Sequence, residues 1–201
     1  MSDFDYRSWW ENYYSTGGTS GSGSYGLLAE FKAEIINNFI KEHQIESVIE
    51  FGCGDGNQLS YMEYKKYLGL DVARPALDLC INKFSEDKSK SFLLYDPRRF
   101  MPNGIFDADL VVCLDVLYHI TDEIDYRKTL TDIFSCTKKY VILYDKIRDT
   151  ESHSSEIKYR NIVPYLQAVN NFEVLKIIPQ RYQELSSADF IFIAHKTKEL
   201  I

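Results

Sequence analysis

The chain predicts an α/β fold built on a mostly parallel sheet, and three observations carry that expectation. Short apolar runs alternate with helical patterns through most of the sequence. Two of the runs, Leu110-Val111-Val112-Cys113-Leu114 and Tyr140-Val141-Ile142-Leu143-Tyr144, are unbroken, as suits strands covered on both faces by helices. The last two runs follow one another without a helical pattern between them, which predicts an antiparallel hairpin at one edge. The remaining connections are then right-handed crossovers.

In order along the chain, periodicity first predicts an amphipathic helix over residues 6–14, with an aromatic face available for burial. Ser15 to Gly26 is almost wholly Gly, Ser and Thr. By composition this is a flexible linker. The alternative is a lid that orders on a ligand, because bare Gly and Ser let backbone N–H groups approach polar atoms closely. Leu27, Leu28, Phe31, Ile35, Ile36, Phe39 and Ile40 form a helical stripe over residues 27–41. Strands are expected at 47–51, 67–70, 92–95, 109–114 and 140–144, with closing strands at 173–178 and 190–195. Helices are expected at 76–84, 124–136 and 157–169. Residues 1–26 thus form an N-terminal aromatic helix and a Gly/Ser-rich segment, and residues 27–201 form the main domain.

Composition narrows the class. At 201 residues, one domain with modest decoration is expected, large enough to bury about 70% of its unfolded surface without a staple. Lys and Arg number 23 against 30 Asp and Glu, a net charge of −7 that speaks against a nucleic-acid partner. No run reaches the length of a membrane span, and the acidic start lacks the order of a secretory signal. Cys53, Cys80, Cys113 and Cys136 form no C-x-x-C pair, so free thiols in a reducing, cytoplasmic setting are expected. No ligand spacing points to a catalytic metal.

In such sheets ligands bind at the carboxyl ends of the strands, where the strand order reverses. The first strand runs into Glu50-Phe51-Gly52-Cys53-Gly54-Asp55-Gly56-Asn57-Gln58. A dinucleotide fingerprint would need glycine where Asn57 stands, which argues against a nicotinamide-dependent oxidoreductase, and no G-K-[ST] follows. Asp71 lies 19 positions after Gly52, at the end of the second strand, where a carboxylate accepts from both hydroxyls of a ribose. Asp96 ends the third strand and can accept from an exocyclic amine. With Glu50, Asp55 and Asp115 these acids make a rim suited to a cationic nucleoside. Singly, each could instead cap a helix.

These motifs resemble those of the class I S-adenosylmethionine-dependent methyltransferases: Glu50-x-Gly52-x-Gly54-x-Gly56, Asp71, Asp96 and Leu114-Asp115-Val116. The Gly/Ser segment with Leu28-Ala29-Glu30-Phe31-Lys32, and Asp115-Val116-Leu117-Tyr118-His119, is similar to small methyltransferases of bacterial surface-polysaccharide biosynthesis. The resemblance implies a Rossmann-like seven-stranded sheet of order 3-2-1-4-5-7-6 with strand 7 antiparallel and helices on both faces. It makes the Gly/Ser segment a lid. It implies S-adenosyl-L-methionine as cofactor, held by Tyr14, Gly23, Ser24, Glu50, Gly52, Cys53, Gly54, Gln58, Asp71, Val72, Asp96, Leu114, Asp115 and Val116.

Methyl transfer requires alignment of the acceptor and removal of its proton. His119 suits a general base, or else it caps a helix or packs beside Tyr118; Tyr118 orients the acceptor or is merely buried. Lys146, Arg148, Lys158, Arg160 and Arg181 follow the fifth strand, and Lys158, Arg160 and Arg181 are the expected ligands of a phosphate- or carboxylate-bearing acceptor. The expected activity is O-methyl transfer to a small polar or phosphorylated precursor, of sugar or phosphoramidate type, by a monomer or homodimer. The alternative is a non-catalytic module that kept the nucleoside pocket.

Overall fold

The computed structural model describes residues 4–146 and 154–196. Its elements are α1 (Tyr6–Ser15), α2 (Gly26–Glu42), β1 (Ser47–Phe51), β2 (Lys66–Asp71), α3 (Arg74–Lys83) and β3 (Lys90–Leu94). They continue with β4 (Ala108–Leu114), α4 (Glu123–Ser135), β5 (Thr137–Asp145), α5 (Val163–Ala168), β6 (Phe172–Ile178) and β7 (Asp189–His195). The seven strands form one sheet of order β3-β2-β1-β4-β5-β7-β6. Pairings are parallel from β3 through β5, and β7 runs antiparallel to both β5 and β6. The expected topology is therefore observed, hairpin included.

The sheet is the middle layer because side chains alternate across it. In β4, Leu110, Val112 and Leu114 pack with Phe31, Ile36, Phe39 and Ile40 of α2 on one face. Val111 and Cys113 face the other way, among Tyr126, Leu130 and Ile133 of α4 and Tyr6 of α1. Burial of each such aliphatic or aromatic side chain contributes roughly 1.5–3 kcal/mol. All four cysteines are unpaired and buried. Among the described residues, no helix is long and apolar enough to cross a membrane.

One connection carries no α-helix, and one expected helix is shortened: the crossover from β1 to β2 contains only a single 3₁₀ turn, Gln58–Tyr61. Its face of the sheet is covered by α2 instead, to which it is tied by Gln58 Nε2 donating to Ala29 O and Asn37 Nδ2 donating to Tyr61 O. The helix expected over 157–169 is shortened to α5. Pro164 lacks an N–H and is tolerated only in the first turn of a helix, so α5 starts at Val163 and does not extend back to 157. Two helices begin with a side-chain cap: Asp5 accepts from Arg7 N–H in α1, and Asp122 accepts from Asp125 N–H in α4.

Candidate functional site

The strand order reverses between β1 and β4, and the glycine turn lies at the carboxyl end of β1. Gly52 (φ +82°) and Gly54 (φ +55°) are both in the left-handed region. A Cβ at Gly52 would collide with Val116, and one at Gly54 with Ser20 Oγ and Tyr14 Oη. Only glycine serves at either position. The turn also holds Asp71: its carboxylate accepts from Gly54 N–H at 2.9 Å through one oxygen and from Ala73 N–H at 2.9 Å through the other. Burial pushes Asp71 up to about 6, against those backbone hydrogen bonds.

The N-terminal segment folds over this turn. Ser20 N–H donates to Asp55 at 2.9 Å, Asp55 N–H donates back to Ser20 Oγ at 2.8 Å, and Tyr25 Oη donates to Asp55 at 2.7 Å. Burial would raise Asp55, but these bonds hold it below the usual carboxylate value. Asn57, the residue that breaks the dinucleotide fingerprint, donates to Ser24 O at 2.6 Å. Further out, α1 supplies Tyr6, Trp10 and Tyr14 to the same roof.

Beneath the roof lies a cavity of about 430 Å³, within the ~300–1,000 Å³ of small-molecule sites. Tyr14, Gly23, Ser24, Glu50, Gly52, Cys53 and Gly54 line it, as do Gln58, Asp71, Val72, Leu114, Asp115 and Val116. Gln58 Oε1 is buried without a hydrogen-bond partner among the described residues, a polar atom in the wall that a ligand donor would satisfy. Burial pushes Glu50 up to about 7, against the Tyr67 hydroxyl that donates to it at 2.6 Å and the nearby Lys32. At the end of β5, burial likewise pushes Asp145 up to about 8.

Asp115 closes β4 at φ +59°, a conformation that costs a non-glycine residue about 1–3 kcal/mol. Its side chain explains why the conformation persists. Lys32, fully buried on α2, donates from Nζ to Asp115 Oδ2 at 2.7 Å, and Tyr118 Oη donates to Oδ1 at 3.1 Å. A Cβ on Gly23 would lie only 2.8 Å from Asp115 Oδ2, so the N-terminal segment closes against this same carboxylate.

His119 follows in the cavity wall. Its Nδ1 lies 3.4 Å from Glu156 O, and the Trp10 ring meets it edge-to-face with centroids 5.0 Å apart. With Nδ1–H directed at that carbonyl, Nε2 keeps a free lone pair. Burial lowers the pKa of His119 below its ordinary value, which keeps the ring neutral at pH 7.

Not every expected residue joins this group. Asp96 does not line the cavity: it caps its own turn by accepting Arg98 N–H at 3.0 Å and faces Arg7 at 3.5 Å. Tyr95, its neighbour, faces the cavity in its place. Arg181 forms a bidentate pair with exposed Glu34 (2.7 and 2.8 Å) and lies outside the cavity. Arg160 is committed to Ile120 O, Thr121 O and Glu123, and with Lys158 it lines a separate cleft. Lys146 lines the cavity, with its ammonium 4.1 Å from the centroid of the Tyr159 ring. Arg148 lies outside the described residues. Sequence reasoning assigned no role to Tyr6, Trp10, Tyr95, Lys32 or Tyr159, which the cavity gathers. The aromatic density of residues 6–14 was the one signal for the first two.

A family model described as a methyltransferase domain matches residues 26–181. No curated protein sequence matches the chain. The N-methyltransferase NodS of Bradyrhizobium japonicum WM9, solved with S-adenosylhomocysteine, has a TM-score of 0.74 at 12% identity, over 96% of this chain and 100% of that one. The magnesium protoporphyrin IX methyltransferase of Synechocystis PCC 6803, solved with S-adenosylmethionine, gives 0.71 at 15% identity, over 98% and 100%. Mitomycin 7-O-methyltransferase gives 0.63 at 13%, over 85% of this chain and 55% of that one. At these identities the likeness is one of fold. Together with the family match over most of its length, it shows that the chain belongs to the class I S-adenosylmethionine-dependent methyltransferases.

Proposed function

We propose that the protein transfers a methyl group to an oxygen of a small polar acceptor, with His119 as the general base. The observation that carries this reading is the imidazole in the cavity wall, neutral by burial, with Nδ1 directed at Glu156 O. S-adenosylmethionine supplies a methyl group activated on a sulfonium sulfur. Asp71, held by two N–H groups, has lone pairs to spare for ribose hydroxyls. The carboxylates of Glu50, Asp71 and Asp115 favour a cationic nucleoside over a diphosphate. Tyr118, hydrogen-bonded to Asp115 and in contact with the imidazole, orients the acceptor. Residues 1–26 act as a lid over the domain at 27–201, excluding water through α1 and the Ser20–Asp55 bonds.

The acceptor is a sugar or phosphoramidate-type precursor of a surface polysaccharide, taken up in the cytoplasm by a monomer or homodimer. This rests on the similarity of the Gly/Ser segment and of Asp115-Val116-Leu117-Tyr118-His119 to methyltransferases of that kind. Calorimetry with S-adenosylhomocysteine, followed by a radiolabelled-methyl assay on a panel of sugar and phosphoramidate acceptors, tests the proposal. Micromolar binding and labelling of a hydroxyl are expected. Absence of binding at high micromolar ligand overturns the cofactor pocket, and binding without transfer to any acceptor overturns the assigned chemistry.

A further inference from the structure

Glu123, the first residue of α4, gathers more positive charge than it can balance. Its carboxylate meets Arg127 Nε at 2.8 Å, Arg160 Nε at 3.0 Å and Lys158 Nζ at 3.7 Å, and accepts from Tyr165 Oη at 3.0 Å. Three cations share one carboxylate in a chain of net charge −7. They line a cleft of about 560 Å³. Tyr159 lines both this cleft and the main cavity and so is shared by the two walls.

The three cations differ in what they have left to offer. Arg160 is buried, directs its guanidinium at the carbonyls of Ile120, Thr121 and Lys158, and stacks over the Tyr126 ring at 4.1 Å. It holds the loop. Lys158 and Arg127 have side chains 49% and 63% exposed. Lys158 Nζ lies beyond hydrogen-bond distance from Glu123, and the described hydrogen bonds of Arg127 engage only Nε and Nη2. Both therefore keep donors for an incoming oxyanion. The backbone ties this pair to the chemistry: Lys158 N–H donates to Tyr118 O at 2.8 Å, and the Tyr159 ring lies 5.8 Å from that of Tyr118. Lys146 adds a further cation against the shared wall.

We propose that this cleft anchors an oxyanion of the acceptor, a phosphate or carboxylate group, through Lys158 and Arg127, while the acceptor's hydroxyl reaches past Tyr159 into the main cavity. The assignment rests on the proposed function only in taking the His119 side as the acceptor side. Inorganic phosphate is titrated into the protein at constant ionic strength, with acetate as a second arm, and calorimetry with S-adenosylhomocysteine is run on the same samples. Saturable millimolar phosphate binding is expected, weakened about tenfold or more by Lys158→Gln combined with Arg127→Gln. Arg181→Gln leaves it unchanged, and S-adenosylhomocysteine affinity stays within about twofold throughout. Acetate binding tighter than phosphate supports the anchor and assigns it to carboxylates. Phosphate and acetate binding that are both absent, or the same in wild type and double variant, overturn it. Loss of S-adenosylhomocysteine binding in the wild type strikes the proposed function instead, so the two failures are distinguishable.

Discussion

The two halves of the cavity are made of different material. Around the glycine turn the wall is largely backbone, with Gly52 and Gly54 at positive φ and N–H groups of Gly54 and Ala73 fixing Asp71. Around His119 the wall is side chains from separate places: Trp10 on α1, Tyr118 and His119 after β4, and Tyr159 in the loop before α5. A backbone wall tolerates few residue types and leaves a spacing signature. A side-chain wall accepts many, and its members come together only through the fold.

If that contrast holds, the largest effect should follow from adding one carbon to the backbone wall. Gly54→Ala drives a Cβ into Ser20 Oγ and Tyr14 Oη at a positive φ. S-adenosylhomocysteine binding should weaken about 100-fold or more by calorimetry, with a melt confirming the fold. Wild-type affinity would show that the turn is not built on backbone proximity.

On the side-chain wall, His119→Gln should reduce turnover by about 100-fold while S-adenosylhomocysteine affinity stays within about twofold. Because burial depresses the His119 pKa below its usual value, wild-type kcat/KM should be level at neutral pH and fall only on the acid side of about 6.5. Loss of cofactor affinity in the variant would join the two halves into one unit.

A third difference lies in buried charge. Glu50, Asp71 and Asp145 are raised to about 7, 6 and 8 by burial, all above their unfolded values. From about pH 4 to 8 the folded protein therefore binds more protons than the unfolded chain, and its stability falls as pH rises through that window. Between pH 5 and 8.5 the ligand-free protein should lose ~2 kcal/mol or more, a Tm decrease of about 5 °C. A flat profile in differential scanning calorimetry would mean that these carboxylates are better solvated than their burial implies.

The smallest effect is expected at Asp96, which faces Arg7 and its own turn. Asp96→Asn should alter S-adenosylhomocysteine affinity by less than about twofold. A tenfold loss would mean that this turn reorganises to bring the carboxylate into the cavity.

Much of the sheet was legible because apolar runs buried on both faces can hardly be anything else, and β4 and β5 fell where the runs lie. What covers the β1–β2 crossover was not legible. Gln58-Leu59-Ser60-Tyr61 gives no local sign that α2, arriving from earlier in the chain, already covers that face. The charged residues divide in the same way. Asp71 could be read because its place after Gly52 is dictated by the β1–β2 crossover. Arg160 and Arg181 could not, because their partners Glu123 and Glu34 stand 37 and 147 positions away.

Local order in the chain was enough to determine the strands, their alternation with helices and the glycine turn, since each depends on residues a few positions apart. Which acids and bases face the cavity was decided only by tertiary structure. A side chain at a strand end can turn toward the ligand, cap its own turn or pair across the molecule, and the choice depends on distant neighbours. Lys32 shows this most plainly: an ordinary residue in a helical stripe becomes a buried cation on Asp115 once α2 packs against β4.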